Sequence, residues 1–299
     1  MAVVKLRVLG MFLIRRLAQG GGKRSALRTL RSLRESAQGK DVLVIASGPS
    51  ASQLNVTEVS RRQKAGDLVV IATNYFLSSP LASTITPDFL VWSDEIFHPN
   101  SRPQNEKSWS ALQRTPGVTV VSPWTWKRLL QETEWADRFV YFDDDTLEGW
   151  TKNVSPLHPR GYAGSTGAKA LALATHLGGK KIHIIGVDLS YFQGFTVNEE
   201  NRVFTHPRHV KGADSGTQEF TQYALNGLAD LLYSQATQFL ALHTHFASFP
   251  VVNLDPNSLV DAFPKEHPHP LTTAETAPAK NSTTENTTAK KSNTRRTST

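Results

Sequence analysis

The chain contains no cysteine among its 299 residues, and near its start the longest nearly uncharged stretch runs only from Val8 to Ile14. Without cysteine there can be no disulfide, no thiolate metal site and no cysteine nucleophile, which fits a reducing compartment. A membrane-spanning helix needs about 20 apolar residues, so that stretch is too short to cross a bilayer. It also makes a poor signal peptide, because Arg15-Arg16 follow at once and no small-x-small cleavage site is present. The complete G-x-G-x-x-G and G-x-x-x-x-G-K-S/T patterns are missing. Neither a nicotinamide-dinucleotide fingerprint nor a Walker phosphate loop is therefore supported. No internal repeat is evident.

Charge is unevenly spread. Residues 1–40 hold ten Lys/Arg against one acid, Glu35, and residues 265–299 hold six against three. With a total of +7, the middle of the chain is net acidic. This argues against a nucleic-acid-binding core, whose basic patch would lie on the domain itself, so no nucleic-acid partner is expected. Basic ends suit an anionic membrane surface. Near the start, Val3, Val4, Leu6, Val8 and Leu9 interleave with Lys5 and Arg7, and Arg15 and Arg16 follow. This pattern predicts a helix lying on a surface or packed on its own domain. From Thr272 onward the chain has almost no large apolar residue and cannot offset its ordering entropy, so a disordered tail is expected. The predicted divisions are a basic helical segment at 1–38, an α/β domain at 39–264 and a tail at 265–299.

Between these ends, short apolar runs alternate with helix-like segments. Strands are predicted at 42–46, 68–72, 89–92, 118–121, 139–142, 181–185 and 249–252. Helices are predicted at 53–64, 108–114, 124–133, 164–177, 217–240 and 256–263. Continuous Val/Ile/Leu runs are the mark of strands buried on both faces. Their alternation with helices means parallel strands and right-handed crossovers. The fold class is thus α/β, a doubly wound and mostly parallel sheet, whose ligands sit at the carboxyl ends of the strands.

Those strand ends carry the candidate residues. After the first strand comes Ser47-Gly48-Pro49-Ser50, where Gly48 permits a close backbone approach and Pro49 suits a first helical turn. The second strand ends in Asn74, which can donate and accept at once. The third leads to Ser93-Asp94-Glu95. The fifth ends in Asp143-Asp144-Asp145, and an Asp-x-Asp at Asp143 and Asp145 could hold a divalent metal bridging a nucleotide diphosphate. A small-residue turn, Gly164-Ser165-Thr166-Gly167, then opens an Ala-rich helix and offers free N–H groups to an anion. The next strand ends in Gly186-Val187-Asp188, with Tyr191 soon after; Asp188 could meet a ribose or cap the loop. The long loop 192–216 carries His206, Arg208, His209 and Lys211, and histidine is the side chain suited to proton transfer near neutral pH. The last strand leads into Asp255-Pro256-Asn257-Ser258.

Over about residues 41–263 this order of motifs resembles the bacterial lipooligosaccharide sialyltransferases of glycosyltransferase family 42. It is also similar to the 6-hydroxymethylpterin diphosphokinase-like proteins and the motility-associated flagellin glycosyltransferases. The resemblance implies a modified Rossmann domain of glycosyltransferase-A-like type that binds a CMP-sugar. It places Gly48, Pro49, Ser50, Asn74, Ser165, Thr166 and Gly167 around the nucleotide, with Pro256, Asn257 and Ser258 nearby. Tyr191 is the nearest match to a phosphate-contacting tyrosine, and Asp188 ends the matching strand. A loop histidine, His209 first and His206 second, would be the base. The sequence departs from the family pattern at Ala163, where the family has Arg, and at Ser93, where it has Asn.

The reading that follows is an inverting transfer of sialic acid, or a related nonulosonic acid, from a CMP-sugar to a glycan or glycolipid acceptor. No cofactor is expected beyond the donor. The expected location is cytoplasmic, on the inner face of the cytoplasmic membrane. Two alternatives stand beside it. One is a pterin pyrophosphokinase-like enzyme using Mg or Mn at Asp188 or at Asp143 and Asp145. The other is a non-catalytic nucleotide-binding protein.

Overall fold

The computed structural model describes residues 10, 12–14, 22–162, 164–189, 195–197, 199–200, 203–205, 218–219 and 227–273. Seven parallel strands form one sheet in the order β10-β6-β1-β2-β3-β4-β5. They are β1 (Asp41–Ile45), β2 (Leu68–Thr73), β3 (Phe89–Val91), β4 (Thr119–Pro123), β5 (Phe139–Phe142), β6 (Lys181–Ile185) and β10 (Val251–Asn253). β1 is flanked by β2 and β6, with Leu43 opposite both Val70 and His183. The chain winds outward from β1 to β5, then returns to the other side of β1 with β6. This is the doubly wound α/β sheet that the apolar runs predict. β7 (Phe195–Val197), β8 (Val203–Thr205) and β9 (Gln218–Glu219) form a separate antiparallel sheet inserted after β6.

Both faces of the large sheet are buried, which explains why its strands read as unbroken apolar runs. On one face Leu43, Ile45, Leu90 and Val120 pack with Trp92 and Trp109. On the other, Val42, Val44, Val91 and Ile184 pack against helix Thr166–His176. That helix buries Ala168, Ala170, Ala172 and Ala174. Alanine is the strongest helix former and lets the helix lie close to the sheet. Ser165 caps its start by accepting from the Ala168 N–H at 3.3 Å.

Several element boundaries differ from expectation for local reasons. The helix predicted at 53–64 begins at Val56, because Asn55 caps it by accepting from the Glu58 N–H. A separate 3-10 turn covers Pro49–Gln53. The helix predicted at 256–263 is absent. There Asn253 Oδ1 accepts from Asp255 N–H, Asp255 Oδ1 from Asn257 N–H and Ser258 Oγ from Val260 N–H. Such short side-chain bonds satisfy the backbone without a helical ladder. The predicted 217–240 helix is helical over Gly227–Ala241, whereas 218–219 belongs to β9.

The domain borders also move outward. Ala26, Leu27, Leu30 and Ala37 are buried, so residues 22–38 pack as part of the domain rather than as a segment apart from it. At the other end, Leu271 is fully buried and Thr272 pairs with Leu54, so the packed chain continues past 264 to Thr273. Residues 1–9 and 274–299 lie outside the described residues. Among the described residues, no helix is long and apolar enough to cross a membrane.

Candidate functional site

The winding reverses between β1 and β6, and ligands of such sheets bind outside the carboxyl ends at that point. Here the loops after β1 and β6 are locked together. The Gly48 N–H donates to Gly186 O at 2.8 Å. The Ser50 N–H donates to Asp188 Oδ2 at 3.1 Å and its hydroxyl to Asp188 Oδ1 at 2.5 Å, while that hydroxyl accepts from the Gly186 N–H at 2.8 Å. Only glycine fits at 48, since a Cβ there would lie 2.4 Å from Asp188 Oδ2. At Gly186, φ is 75° and a Cβ would lie 2.3 Å from Ala46 O. Ser50 and Asp188 are only 5% and 7% exposed, so their polar atoms serve the crossing, and half-buried Gly48 and Pro49 form its rim.

A third loop joins this crossing. Asp255, just past β10, lies beside the Asp188 carboxyl. Burial raises the Asp188 carboxyl above the usual carboxylate range, the Ser50 bonds oppose this, and Asp255 pushes it further up. Ser258 donates to Val187 O at 3.3 Å. Pro256 is half-buried and Asn257 exposed beside them.

On the other side of β1, Asn74 holds φ at 51°, a conformation that asparagine tolerates better than most residues. Its backbone carbonyl accepts from Trp92 Nε1 at 2.9 Å, but its side-chain Oδ1 is buried with no hydrogen-bond partner. Next to β3, the Thr166 hydroxyl donates to Asp94 Oδ1 at 3.0 Å and accepts from the Ser93 hydroxyl at 2.8 Å. These bonds fix the start of helix Thr166–His176 against the strand ends. The first N–H groups of a helix have no partner within it, and here they face the carboxyl edge of the sheet.

Lys169 lies one turn into that helix. Burial pulls its amine down to about 8, and its Nζ stands 5.8 Å from the centre of the Phe142 ring. Arg160, beside it, donates from Nη1 to Asp144 O at 2.7 Å, and its Nε is buried without a partner.

Two groups of metal-ligand type occur among the described residues. In the first, Asp143, Asp144 and Asp145, the seat between two of the carboxylates is already held. Lys23 Nζ stands 2.6 Å from both Asp143 Oδ1 and Asp145 Oδ2, so a metal there would have to displace a lysine. The second, His183, Glu266 and His269, lies toward the amino ends of β1 and β6. Two of its members are engaged, while His183 Nδ1 is buried with no hydrogen-bond partner. Glu266 pairs with Lys181 at 2.5 Å, and His269 Nδ1 accepts from the Leu271 N–H at 3.1 Å. This group ties residues 264–273 under the sheet.

The structure therefore gathers Gly48, Pro49, Ser50, Asn74, Ser165, Thr166, Gly167, Asp188, Pro256, Asn257 and Ser258 onto one edge of one sheet. Tyr191, Ala163, His206, Arg208, His209 and Lys211 lie outside the described residues. Sequence reasoning passed over Lys23, Lys169 and the place of Asp255 beside Asp188. A lone lysine inside an Ala/Leu helix was a readable signal for Lys169; nothing local marked the other two, whose partners are far away in the chain.

No protein-family model matches the sequence, and no curated protein matches it. Among solved structures, the chain is similar to the MAf glycosyltransferase from Magnetospirillum magneticum AMB-1, with 13% identity and a TM-score of 0.47. The match covers 82% of this chain and 38% of that one.

Proposed function

We propose that this chain is a glycosyltransferase that moves a sugar from a CMP-sugar to a glycan or glycolipid acceptor with inversion. The transferred sugar is sialic acid or a related nonulosonic acid. One observation carries the reading. The motifs that resemble the family 42 sialyltransferases are far apart in the chain, yet they all fall at the carboxyl ends of the strands of one sheet, where Asn74 Oδ1 has no hydrogen-bond partner. Asn74 Oδ1 is an acceptor, and the cytosine amine and the ribose hydroxyls are donors that would satisfy it.

In this scheme the acceptor oxygen bonds to the anomeric carbon as the bond to the CMP phosphate breaks, and the bonding pair leaves with the phosphate. Charge builds on that phosphate, and the free N–H groups at Ser165, Thr166 and Gly167 would stabilise it. His209, or His206 in its place, takes the acceptor proton. Gly48 and Pro49 line the donor, while Ser50 and Asp188 hold them in position. The interleaved apolar and basic residues of the N-terminus bring the enzyme to an anionic membrane surface where a lipid-linked acceptor resides.

Turnover of a CMP-sugar with and without acceptor tests the reading. His209→Ala, or else His206→Ala, should abolish transfer while leaving CMP affinity unchanged. Retained transfer in both variants would remove the proposed base, and the absence of any CMP release would remove the reaction.

A further inference from the structure

Strand β6 reads Lys181-Ile182-His183-Ile184-Ile185, so a histidine stands in the middle of a buried, otherwise apolar run. His183 lies level with Leu43 of β1 and Val252 of β10 and is 1% exposed. A buried imidazole has two ring nitrogens to satisfy, and an unmet one is costly. Only one is met here. Nε2 faces Asp41 Oδ2 at 3.4 Å, while Nδ1 is buried with no hydrogen-bond partner among the described residues. The carboxylate fixes the ring proton on Nε2, so the lone pair sits on Nδ1.

Residues 264–273 bring two more donors to this face. The His269 ring centre is 4.8 Å from that of His183, and Glu266 Oε2 stands 3.8 Å from His269 Nε2. Lys181 takes the other oxygen of Glu266, Oε1, and leaves Oε2 to the cluster. The three residues offer ligand atoms that all lie within 4.8 Å of one another. Ligands of a tetrahedral zinc stand about 3.3 Å apart, with bonds of about 2.0 Å. Glu266 and His269 are partly exposed, so their side chains can close that difference and leave an entry path.

We propose that His183 Nδ1, His269 Nε2 and Glu266 Oε2 form a zinc site, with water in the fourth position. Imidazole nitrogen with a carboxylate suits zinc, whereas magnesium and calcium ask for oxygen ligands. The surroundings agree. A ligating histidine gives its other N–H to a carboxylate, and Asp41 fills that place, itself held by Arg62 at 2.8 Å. One contact opposes the site. His269 Nδ1 accepts from the Leu271 N–H at 3.1 Å, and a metal on Nε2 would move the ring proton to Nδ1 and break that bond. A single neutral hydrogen bond is weak beside the binding of a structural zinc, so the metal prevails.

The site lies toward the amino ends of the strands, on the opposite edge of the sheet from the candidate nucleotide motifs. Its role is structural and independent of the glycosyl-transfer reading. It clamps the segment that ends in fully buried Leu271, whose carbonyl accepts from the Asn55 N–H at 2.9 Å, onto β6.

The test titrates untagged, EDTA-stripped and dialysed protein with Zn²⁺, and separately with Co²⁺, whose visible bands report tetrahedral coordination. Native protein should take up one equivalent of either ion, show those bands with Co²⁺, and gain in Tm. His183→Gln and His269→Gln should each lose the uptake and the Tm gain. Asp41→Asn, which removes the carboxylate behind His183, should weaken Zn²⁺ binding about 10–100-fold. His243→Gln should bind as the native protein does, because that ring pairs with Asp261 at 2.6 Å, outside the cluster. No stoichiometric uptake would assign His183 Nδ1 to a buried water and overturn the proposal. Uptake that both histidine variants keep, or that His243→Gln loses, would overturn it too. Should His183→Gln fail to fold, His269→Gln, at a partly exposed position, decides the question alone.

Discussion

At the scale of single residues, the site depends on contacts that leave no room for error. Gly48→Ala would drive a methyl into Asp188 and the Gly186 carbonyl. Overpacking of this kind costs about 1–3 kcal/mol. Urea unfolding should show that loss, and nucleotide binding should fall with it because the rim of the crossing moves; an unchanged midpoint would mean that the loops are not locked. A second residue gives a pH signature. Burial and the neighbouring His269 ring pull His183 from 6.5 down to about 4. Between those values the unfolded chain binds a proton that the folded chain does not, so stability must fall with pH across that window and level off below it. The loss attributable to His183 should reach roughly 3 kcal/mol. Unfolding midpoints from pH 8 to pH 4, in native protein and in His183→Leu, should differ in slope only within that range. Parallel profiles would show that the imidazole does not stay neutral.

At the scale of elements, strands and loops were unequally legible. Runs such as Leu68–Thr73 and Lys181–Ile185 announce themselves, since a strand buried on both faces needs apolar residues throughout. The turn at 255–260 did not. Its Asn, Asp and Ser side chains bond their own neighbours, and the helix predicted at 256–263 left that competition out. The site was legible as a set of strand ends but not as a network, because Asp188 meets Ser50 across 138 positions. The N-terminal helical turns at 22–32 were the least legible. Their place is set by Lys23, which reaches 122 positions along the chain to Asp145. Lys23→Met should destabilise the domain by roughly 3 kcal/mol, the scale for breaking a buried ion pair by removing one partner. Burial already holds the Asp143 carboxyl above its usual range, so the defect should shrink as pH falls and Asp143 protonates. Thermal melts at pH 8 and pH 5.5 check this, and an equal deficit at both would contradict it.

At the scale of the whole molecule, the charge pattern and the sheet divide the work. The net-acidic middle forms the α/β sheet and its carboxyl edge, and residues 22–38 of the basic N-terminal stretch pack on it. On this account, cosedimentation with anionic vesicles should weaken as salt rises and should drop in a variant with Lys5, Arg7, Arg15 and Arg16 changed to Gln. Nucleotide stabilisation should stay intact in that variant. Salt-independent binding, or binding unaffected by the four changes, would assign the attraction to another surface.

The central claim is a cytidine-nucleotide site at the strand ends between β1 and β6, and nucleotide-dependent thermal stabilisation tests it most directly. Ligands that bind the folded state alone raise Tm by mass action. CMP and CDP should raise the Tm of the native protein equally with and without EDTA, UDP and ADP should do so less, and Asn74→Ala should lose most of the response. Stabilisation by ADP alone and only with Mg²⁺, or no response to any of the four nucleotides, would contradict the account.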